Sequence, residues 1–219
     1  MSDSQDKWPP PEYNLGPYDN LHALGVISSS YSEFESYLFD LYVHHLDANN
    51  VPREITEPLY FERSEYKRLE LIKTIFSIYE RVENAEVVKA INNLIKYFQW
   101  CKCTRDNLMH AKSDRPLFGE ETDTLYLSKR VGKTATLNYM KFHLSTLRDV
   151  ADRIRVGINS CADLNLYLKL RDTPPDKWTL WMRALSPQIL PRIPNQPKKL
   201  EISEHPHTRL PAHLRKSQP

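Results

Sequence analysis

A short run in the middle of the chain brings together residue types that carry out acid–base chemistry. Arg105, Asp106, Asn107 and His110 lie within six consecutive positions. A histidine takes up and releases protons near neutral pH. On a helix, Asp106 lies four positions and Asn107 three positions before His110, so either side chain can touch the imidazole and fix its tautomer. We therefore predict a candidate catalytic site in this run.

The helix that carries this run has an apolar face that includes the arginine. Alternating steps of four and three mark one face of a helix, and here they fall on Val87, Ile91, Leu94, Phe98, Cys101, Arg105 and Leu108. A guanidinium on a core-facing position needs a partner. The candidates are Asp106, an acid of the first helix or a second chain.

Arg105 and His110 do not share one face of this helix. Five helical steps place them about 140° apart around the axis and about 7.5 Å apart along it. A working site is therefore expected to need two copies of the helix, packed across a two-fold axis. The open alternative is an arginine that pairs with acids of the first helix and a histidine that caps the helix end.

Three further helices are predicted around this one. The first begins near Asp19 or Asn20, which can cap it, and ends at 47–50; its apolar positions are Leu24, Ile27, Tyr31, Phe34, Leu38 and Leu41. The other predicted helices are 65–84, 85–110 with the run, and 139–169 before Thr173-Pro174-Pro175. A linker with Pro52 and Pro58 follows the first helix, and alternation from Thr124 to about 137 predicts a β-hairpin. The expected fold class is all-α, an up-and-down helical bundle of four long helices with a small β-hairpin insertion before the last helix.

Proline content and charge suggest the domain organisation. Residues 1–18 are predicted to be an extended leader, 19–170 the helical domain, and 171–186 a short amphipathic segment that docks on the bundle. Residues 187–219 are rich in proline, carry six basic and two acidic side chains, and are predicted to be disordered. Because the whole chain carries +2 and this tail +4, the rest carries −2. That balance argues against a broad duplex-DNA binder.

The three cysteines and the apolar content indicate the compartment. Cys101, Cys103 and Cys161 are an odd, small set in a chain without an apolar leader, which indicates free thiols in a reducing compartment. No stretch approaches the ~20 apolar residues of a membrane span. We expect a cytoplasmic protein with no membrane partner.

Three other patterns predict ordinary structure. Gly132-Lys133-Thr134 lacks the first glycine of a phosphate loop, since that position is Leu127, and predicts a turn. Cys101-x-Cys103 with His110 lacks the spacing and the second pair of a structural zinc site, so buried free thiols are predicted. His44-His45 predicts a solvated helix end with a favourable dipole interaction. No metal and no cofactor is expected.

On the residues above, the sequence resembles the HEPN domain family (higher eukaryotes and prokaryotes nucleotide-binding). The motif of that family is an arginine, four to six residues and a histidine, and here it reads Arg105-Asp106-Asn107-Leu108-Met109-His110. A long first helix, a helix pair that leads into the motif and a long final helix match the family's layout, over roughly residues 19–170. The family usually has asparagine after the arginine, whereas this chain has Asp106, with Asn107 one step later. An acid beside a scissile phosphate is tolerable only if it pairs with Arg105 or His110.

The resemblance implies a homodimer whose two motifs face each other, with metal-independent cleavage of RNA. His110 would act as general acid or base on the 2′-OH attack, Arg105 would stabilise charge on the phosphate, and Asp106 or Asn107 would orient the pair. Similar stand-alone bacterial proteins include toxin and defence ribonucleases, which implies a protein partner such as an antitoxin. The alternative is a non-catalytic dimerisation module, or an RNA- or protein-binding module, of the same fold. A nucleotide-binding module is a third, more remote class.

Overall fold

The described part of the protein is mostly helical. A computed structural model describes residues 18–80, 84–113, 124–130, 137–184, 189–200 and 203–204. Its α-helices are α1 (Tyr18–Ala48), α2 (Arg53–Phe61), α3 (Glu65–Tyr79), α4 (Ala85–Met109), α5 (Leu144–Asp172) and α6 (Leu180–Ala184). A 3₁₀ turn (Pro175–Lys177) precedes α6. Within these residues, no helix is both long and apolar enough to cross a membrane.

A small antiparallel sheet accompanies the helices. Its strands are β1 (Lys112–Ser113), β2 (Thr124–Arg130), β3 (Leu137–His143) and β4 (Ser203–Glu204), in the spatial order β1-β2-β3-β4. Leu125 pairs with Phe142 and Leu127 with Met140, and all four side chains are buried. Directly opposed residues lie on the same face of a sheet, so these four form one apolar face. The predicted hairpin is therefore present as β2 and β3, whereas the predicted turn at Gly132 lies outside the described residues.

The chain divides into two compact units. The described residues of 1–26, 106–149 and 200–219 form the first unit, and those of 27–105 and 150–199 form the second. The sheet belongs to the first unit. The division falls inside α4, between Arg105 and Asp106.

The core of the second unit follows the predicted helical faces. Its fully buried side chains lie three, four or seven positions apart on each helix, which is the pattern of a face turned inward. They include Ile27, Phe34, Leu38 and Leu41 on α1, Ile72 and Phe76 on α3, Ile91, Leu94 and Phe98 on α4, and Ile154, Ile158, Cys161 and Leu168 on α5. The ring of Phe98 stacks with that of Tyr31 at 5.1 Å and meets that of Phe34 edge-on at 5.1 Å. Tyr79 was predicted on the buried face of its helix, but it is 44% exposed.

One glycine allows close approach within this core. Gly157 lies in the middle of α5 and is buried. A Cβ atom at this position would lie 2.6 Å from Cε1 of Phe34 and 2.8 Å from Cε1 of Tyr97. Both distances are shorter than a van der Waals contact, so these rings pack against the bare backbone of the helix.

Three predicted boundaries were wrong. The linker with Pro58 contains helix α2, in which Thr56 and Tyr60 are buried four positions apart and Tyr42 donates its hydroxyl hydrogen to the carbonyl of Thr56 at 3.1 Å. These contacts outweigh the loss of a backbone donor at the proline. The last long helix starts at Leu144, not near 139, because 137–143 form β3, in which Met140 and Phe142 are buried and the residues that follow each of them are not. At that junction buried side chains recur every two residues, which is the pattern of a strand and not of a helix.

The third error concerns the tail. Residues 187–219 were predicted to be disordered, but the structure describes 189–200, which have no regular secondary structure, and 203–204, which form β4 and pair with β3. Ile193 is buried, and the indole N–H of Trp100 donates to the carbonyl oxygen of Lys198 at 3.0 Å. These two contacts hold the segment in place. Because proline restricts the backbone even in the unfolded chain, a proline-rich segment loses little conformational entropy when it is fixed. The rest of the tail, and most of the leader 1–18, lie outside the described residues.

Candidate functional site

The end of α4 presents an exposed histidine beside a carboxylate. His110 follows the helix directly, and its backbone N–H donates to the carbonyl oxygen of Asp106 at 3.1 Å, which continues the helical pattern by one residue. Nε2 of His110 lies 3.8 Å from Oδ1 of Asp106. The His110 side chain is 64% exposed, and that of Asp106 is 26% exposed. The predicted contact between these two residues is therefore present, on an imidazole that solvent and a substrate can reach.

Arg105 occupies the position that the helical pattern predicted. Its neighbours on the same face, Cys101 and Leu108, are buried, and Arg105 is half-buried between them in sequence. Its guanidinium carbon lies 5.2 Å from the ring centroid of Tyr31, a cation–π contact. Asn107 is also half-buried. Of the four predicted residues, Arg105 belongs to the second unit and the other three to the first.

Arg105 is part of a charged cluster in the second unit. The Tyr31 hydroxyl donates to Oε2 of Glu65 at 2.9 Å, and Nζ of Lys102 lies 3.2 Å from the same oxygen. Nη1 of Arg68 lies 3.5 Å from Oε1 of Glu35. The cluster (Tyr31, Glu35, Glu65, Arg68, Lys102 and Arg105) therefore contains two carboxylates and three cations, one of which is the predicted arginine itself.

The charge state of Glu35 depends on this cluster. Partial burial raises its pKa above the ordinary value of 4.5, because desolvation disfavours the carboxylate. The positive charge of Arg68 opposes that rise most strongly, and Arg105 and Lys102 oppose it further, whereas the charge of Glu65 adds to it. Glu35 is thus an acid of the first helix whose pKa the positive charge of Arg105 lowers. An acid of that helix was expected among the partners of the arginine.

Replacing Glu35 with glutamine is expected to raise the melting temperature at pH 7 to 8. A carboxyl whose folded pKa is raised contributes its full stability below the unfolded pKa, near 4.5, and loses it as the pH rises through the folded pKa. Glutamine mimics the uncharged acid, so its advantage should appear at neutral pH and vanish at pH 4. Thermal unfolding across this range measures the effect. Glu33→Gln is the matched control, since Glu33 lies two positions away and its ion pair with Arg155, at 3.9 Å, is exposed; equal shifts for both variants would contradict the assignment.

Most of this cluster could not be predicted. Tyr31 was assigned to the core alone, and Glu35 had no partner that the sequence could name. Glu65, Arg68 and Lys102 were not singled out at all. Tyr31 and Glu35 lie one helical turn apart on α1, and Lys102 lies three positions before Arg105 on α4, so helical spacing alone could have grouped them by face. Their contact across helices needs the fold.

Two predictions about cysteines and histidines outside the Arg105–His110 run were wrong. Cys101 and Cys161 are buried free thiols as predicted, and burial raises the pKa of Cys101 to about 12. Cys103 is exposed, contrary to the prediction. His44 and His45 were predicted to be solvated, but their side chains are only 8% and 9% exposed, and both contact carboxylates. The helix end is covered because acids from α5 and from the residue after α3 reach it.

Comparison with known proteins adds no relative. No protein-family model, curated protein sequence or solved structure matches the chain. The geometry described above is therefore what supports a functional assignment.

Proposed function

We propose that the protein is a metal-independent endoribonuclease of HEPN type. The observation that carries this proposal is the exposed imidazole of His110 beside Asp106, directly after α4 and five positions after Arg105, which is held over a tyrosine ring. A carboxylate at this position orients the imidazole, and proton transfer at such a ring is the core of general acid–base catalysis. The arrangement of α1, α3, α4 and α5 as an up-and-down bundle with the family's layout belongs to the same proposal.

The chemistry needs few groups. The 2′-OH of RNA is held next to its phosphate by the sugar itself, so the attack is intramolecular. His110 takes the proton of the 2′-OH as the oxygen bonds to phosphorus. The bond to the 5′-oxygen then breaks, and that oxygen takes a proton from an imidazolium. The products are a 2′,3′-cyclic phosphate and a 5′-hydroxyl end.

Arg105 would stabilise the charge that develops on the phosphate during this step. Its guanidinium is held over the ring of Tyr31, and a positioned guanidinium is a group that can stabilise an anion. Asp106 and Asn107 would be positioning residues. Because Arg105 and His110 lie on different sides of one helix, the proposal includes a homodimer in which each of the two motifs completes the other, in the cytoplasm, with single-stranded or loop RNA as substrate. A toxin or defence role with an antitoxin partner follows from the same resemblance.

The test is cleavage of a single-stranded RNA by the purified protein in the presence of EDTA. We expect cleavage that leaves 2′,3′-cyclic phosphate ends. The cleavage rate of His110→Ala should be lower than that of the wild type by a factor of at least about 100, the loss typical of one acid–base group. His22→Ala is the matched control, since His22 is an exposed histidine of α1, and it should cleave like the wild type.

Two results would reject the proposal. Equal cleavage by wild type and His110→Ala would assign the activity to a contaminant. No cleavage by the wild type, together with a dimer that dissociates in His110→Ala or Arg105→Ala, would favour the non-catalytic dimerisation module instead. Size-exclusion chromatography with light scattering gives the oligomeric state of each variant.

A further inference from the structure

A second cluster of charged side chains lies where three helices of the second unit end. His44 and His45 come from the last turns of α1, Glu80 directly follows α3, and Arg171 and Asp172 end α5. Nε2 of His44 lies 2.8 Å from Oδ2 of Asp172, and Nε2 of His45 lies 2.9 Å from Oε1 of Glu80. One ligand atom each from His44, His45 and Asp172 lie within 4.8 Å of one another. Two imidazoles and two carboxylates therefore converge on one small region.

The imidazole of His45 is fixed before any ligand arrives. Its ring stacks on that of Tyr79 at 5.1 Å and meets that of Phe76 edge-on at 4.8 Å. The residue is 7% exposed. Aromatic contacts on both sides leave the ring little freedom, so binding a ligand through Nε2 would cost little conformational entropy.

The ring nitrogen of His45 is buried without an aligned hydrogen bond. Its distance to Glu80 is that of an ion pair, but the geometry is not that of a hydrogen bond, so we treat this contact as electrostatic. A buried polar nitrogen in this state costs free energy unless something else binds it. One ring nitrogen of His45 lies within 4.8 Å of an imidazole nitrogen of His44 and a carboxylate oxygen of Asp172, both of which are metal-ligand atoms. The convergence of the three ligand atoms of His44, His45 and Asp172, together with the poorly aligned Nε2 of His45, points to a ligand.

We propose that His44, His45 and Asp172, with Glu80 beside them, bind a divalent transition-metal ion of the zinc class. Imidazole nitrogen and carboxylate oxygen are ordinary zinc ligands. Mg²⁺ and Ca²⁺ instead prefer sites made only of oxygen ligands. Bonds of 2.0 to 2.2 Å in a tetrahedral site place ligand atoms about 3.4 Å apart. The separations here, 2.8 Å for one pair and within 4.8 Å for all three, bracket that value, so side-chain shifts of up to about 1 to 1.5 Å would complete the site.

Arg171 would serve this site as a positioning residue. Its Nε donates to Oδ1 of Asp172 at 2.6 Å, and its Nη1 and Nη2 donate to the two oxygens of Glu80 at 2.8 and 2.7 Å. Carboxylates that bind metals are commonly held by hydrogen bonds of this kind, and each retains lone pairs for a further bond. The ion would tie the ends of α1 and α5 to the residue after α3. This inference is independent of the proposed ribonuclease function.

The test is zinc binding by the full-length protein after its metal has been removed with a chelator. We expect one equivalent of Zn²⁺ to bind and to raise the melting temperature, and Co²⁺ to give the visible absorption of a four-coordinate site without a thiolate band. In His44→Gln and in Asp172→Asn the affinity should fall at least tenfold. Cys103→Ser and His22→Ala, which alter exposed potential ligands elsewhere, should bind like the wild type.

The outcomes separate a metal site from a network of ion pairs. A wild type that does not bind, or His44→Gln and Asp172→Asn variants that bind as tightly as the wild type, would overturn the proposal. Circular dichroism checks that these variants are folded. If they are not, X-ray absorption of the zinc-loaded wild type decides, since two imidazole ligands and no sulfur are expected and any sulfur in the coordination shell would refute the assignment.

Discussion

Replacement of Arg171 with alanine is expected to lower the free energy of unfolding by about 3 kcal/mol. The carboxylate of Glu80 is 1% exposed, and both of its oxygens accept hydrogen bonds from the guanidinium of Arg171. Without that group, Glu80 stays buried with only the misaligned contact to His45. Breaking a buried ion pair from one side is costly for this reason, whereas an exposed pair contributes little. Urea and thermal unfolding in the presence of a chelator measure the loss, which corresponds to a fall of roughly 6 to 12 °C in melting temperature.

The matched control for this prediction lies on the same helix. Arg155→Ala removes an arginine of α5 whose side chain is 58% exposed and whose pair with Glu33 spans 3.9 Å. It should cost less than about 1 kcal/mol. If Arg171→Ala also lowers the free energy of unfolding by less than about 1 kcal/mol, the prediction is wrong, and water or His45 stabilises the buried charge of Glu80 in its place.

The same cluster predicts how stability depends on acid. Burial alone would raise the pKa of Glu80, but the contacts with His45 and Arg171 outweigh it and lower the pKa to about 2. The pKa of Asp172 is also lowered well below its ordinary range, because its contacts with His44 and Arg171 outweigh the effect of burial. Carboxyls of this kind contribute stability above their unfolded pKa, near 4, and lose it as the pH falls through the folded pKa. The difference between wild type and Arg171→Ala should therefore shrink between about pH 4.5 and pH 2.

Gly157→Ala is expected to destabilise the protein by about 2 kcal/mol, although alanine favours helices more than glycine does. The added methyl group would lie 2.6 Å from the ring of Phe34 and 2.8 Å from that of Tyr97. Phe34 is fully buried, and Tyr97 is held by its hydroxyl, which donates to the carbonyl of Arg153 at 2.7 Å. The rings cannot withdraw without disturbing the packing around them, and overpacking of this kind costs about 1 to 3 kcal/mol.

A second helical glycine provides the comparison. Gly25 lies in α1, is exposed, and a Cβ there would meet nothing within 4 Å. Gly25→Ala should therefore stabilise the protein by roughly 0.5 to 1 kcal/mol, since only the helix propensity changes. Unfolding curves of the two variants should move in opposite directions. Curves that move together would mean that the rings near Gly157 adapt at little cost.

Helical periodicity carried most of what could be predicted. The faces of α1, α4 and α5 follow from apolar residues at steps of three and four, and the alternation at Leu125 and Leu127 predicted the hairpin. Local patterns of this kind report which side of an element is buried. They also predicted that Arg105 lies on the buried side of its helix and that Asp106 can contact His110.

Long-range contacts decided what could not be predicted. α2 forms despite Pro58 because Tyr42, from another helix, binds its backbone. The start of α5 was misplaced because Met140 and Phe142 fit a strand and a helix almost equally until β2 is paired with them. The clusters around Glu35 and around Glu80 each join residues from three helices, and single-sequence spacing contains no information about which helices meet.

The contact between Trp100 and Lys198 bears on the biosynthesis of the protein. The acceptor of this buried indole N–H lies 98 residues further along the chain. At a translation rate of 5 to 20 residues per second, the ribosome needs about 5 to 20 s to make that stretch. Until then Trp100 cannot make its native hydrogen bond, and Ile193 has only just been added to the chain. The second unit can therefore reach its final state only after residue 198 has been made, and a chain that stops before Ile193 would lack both of these contacts.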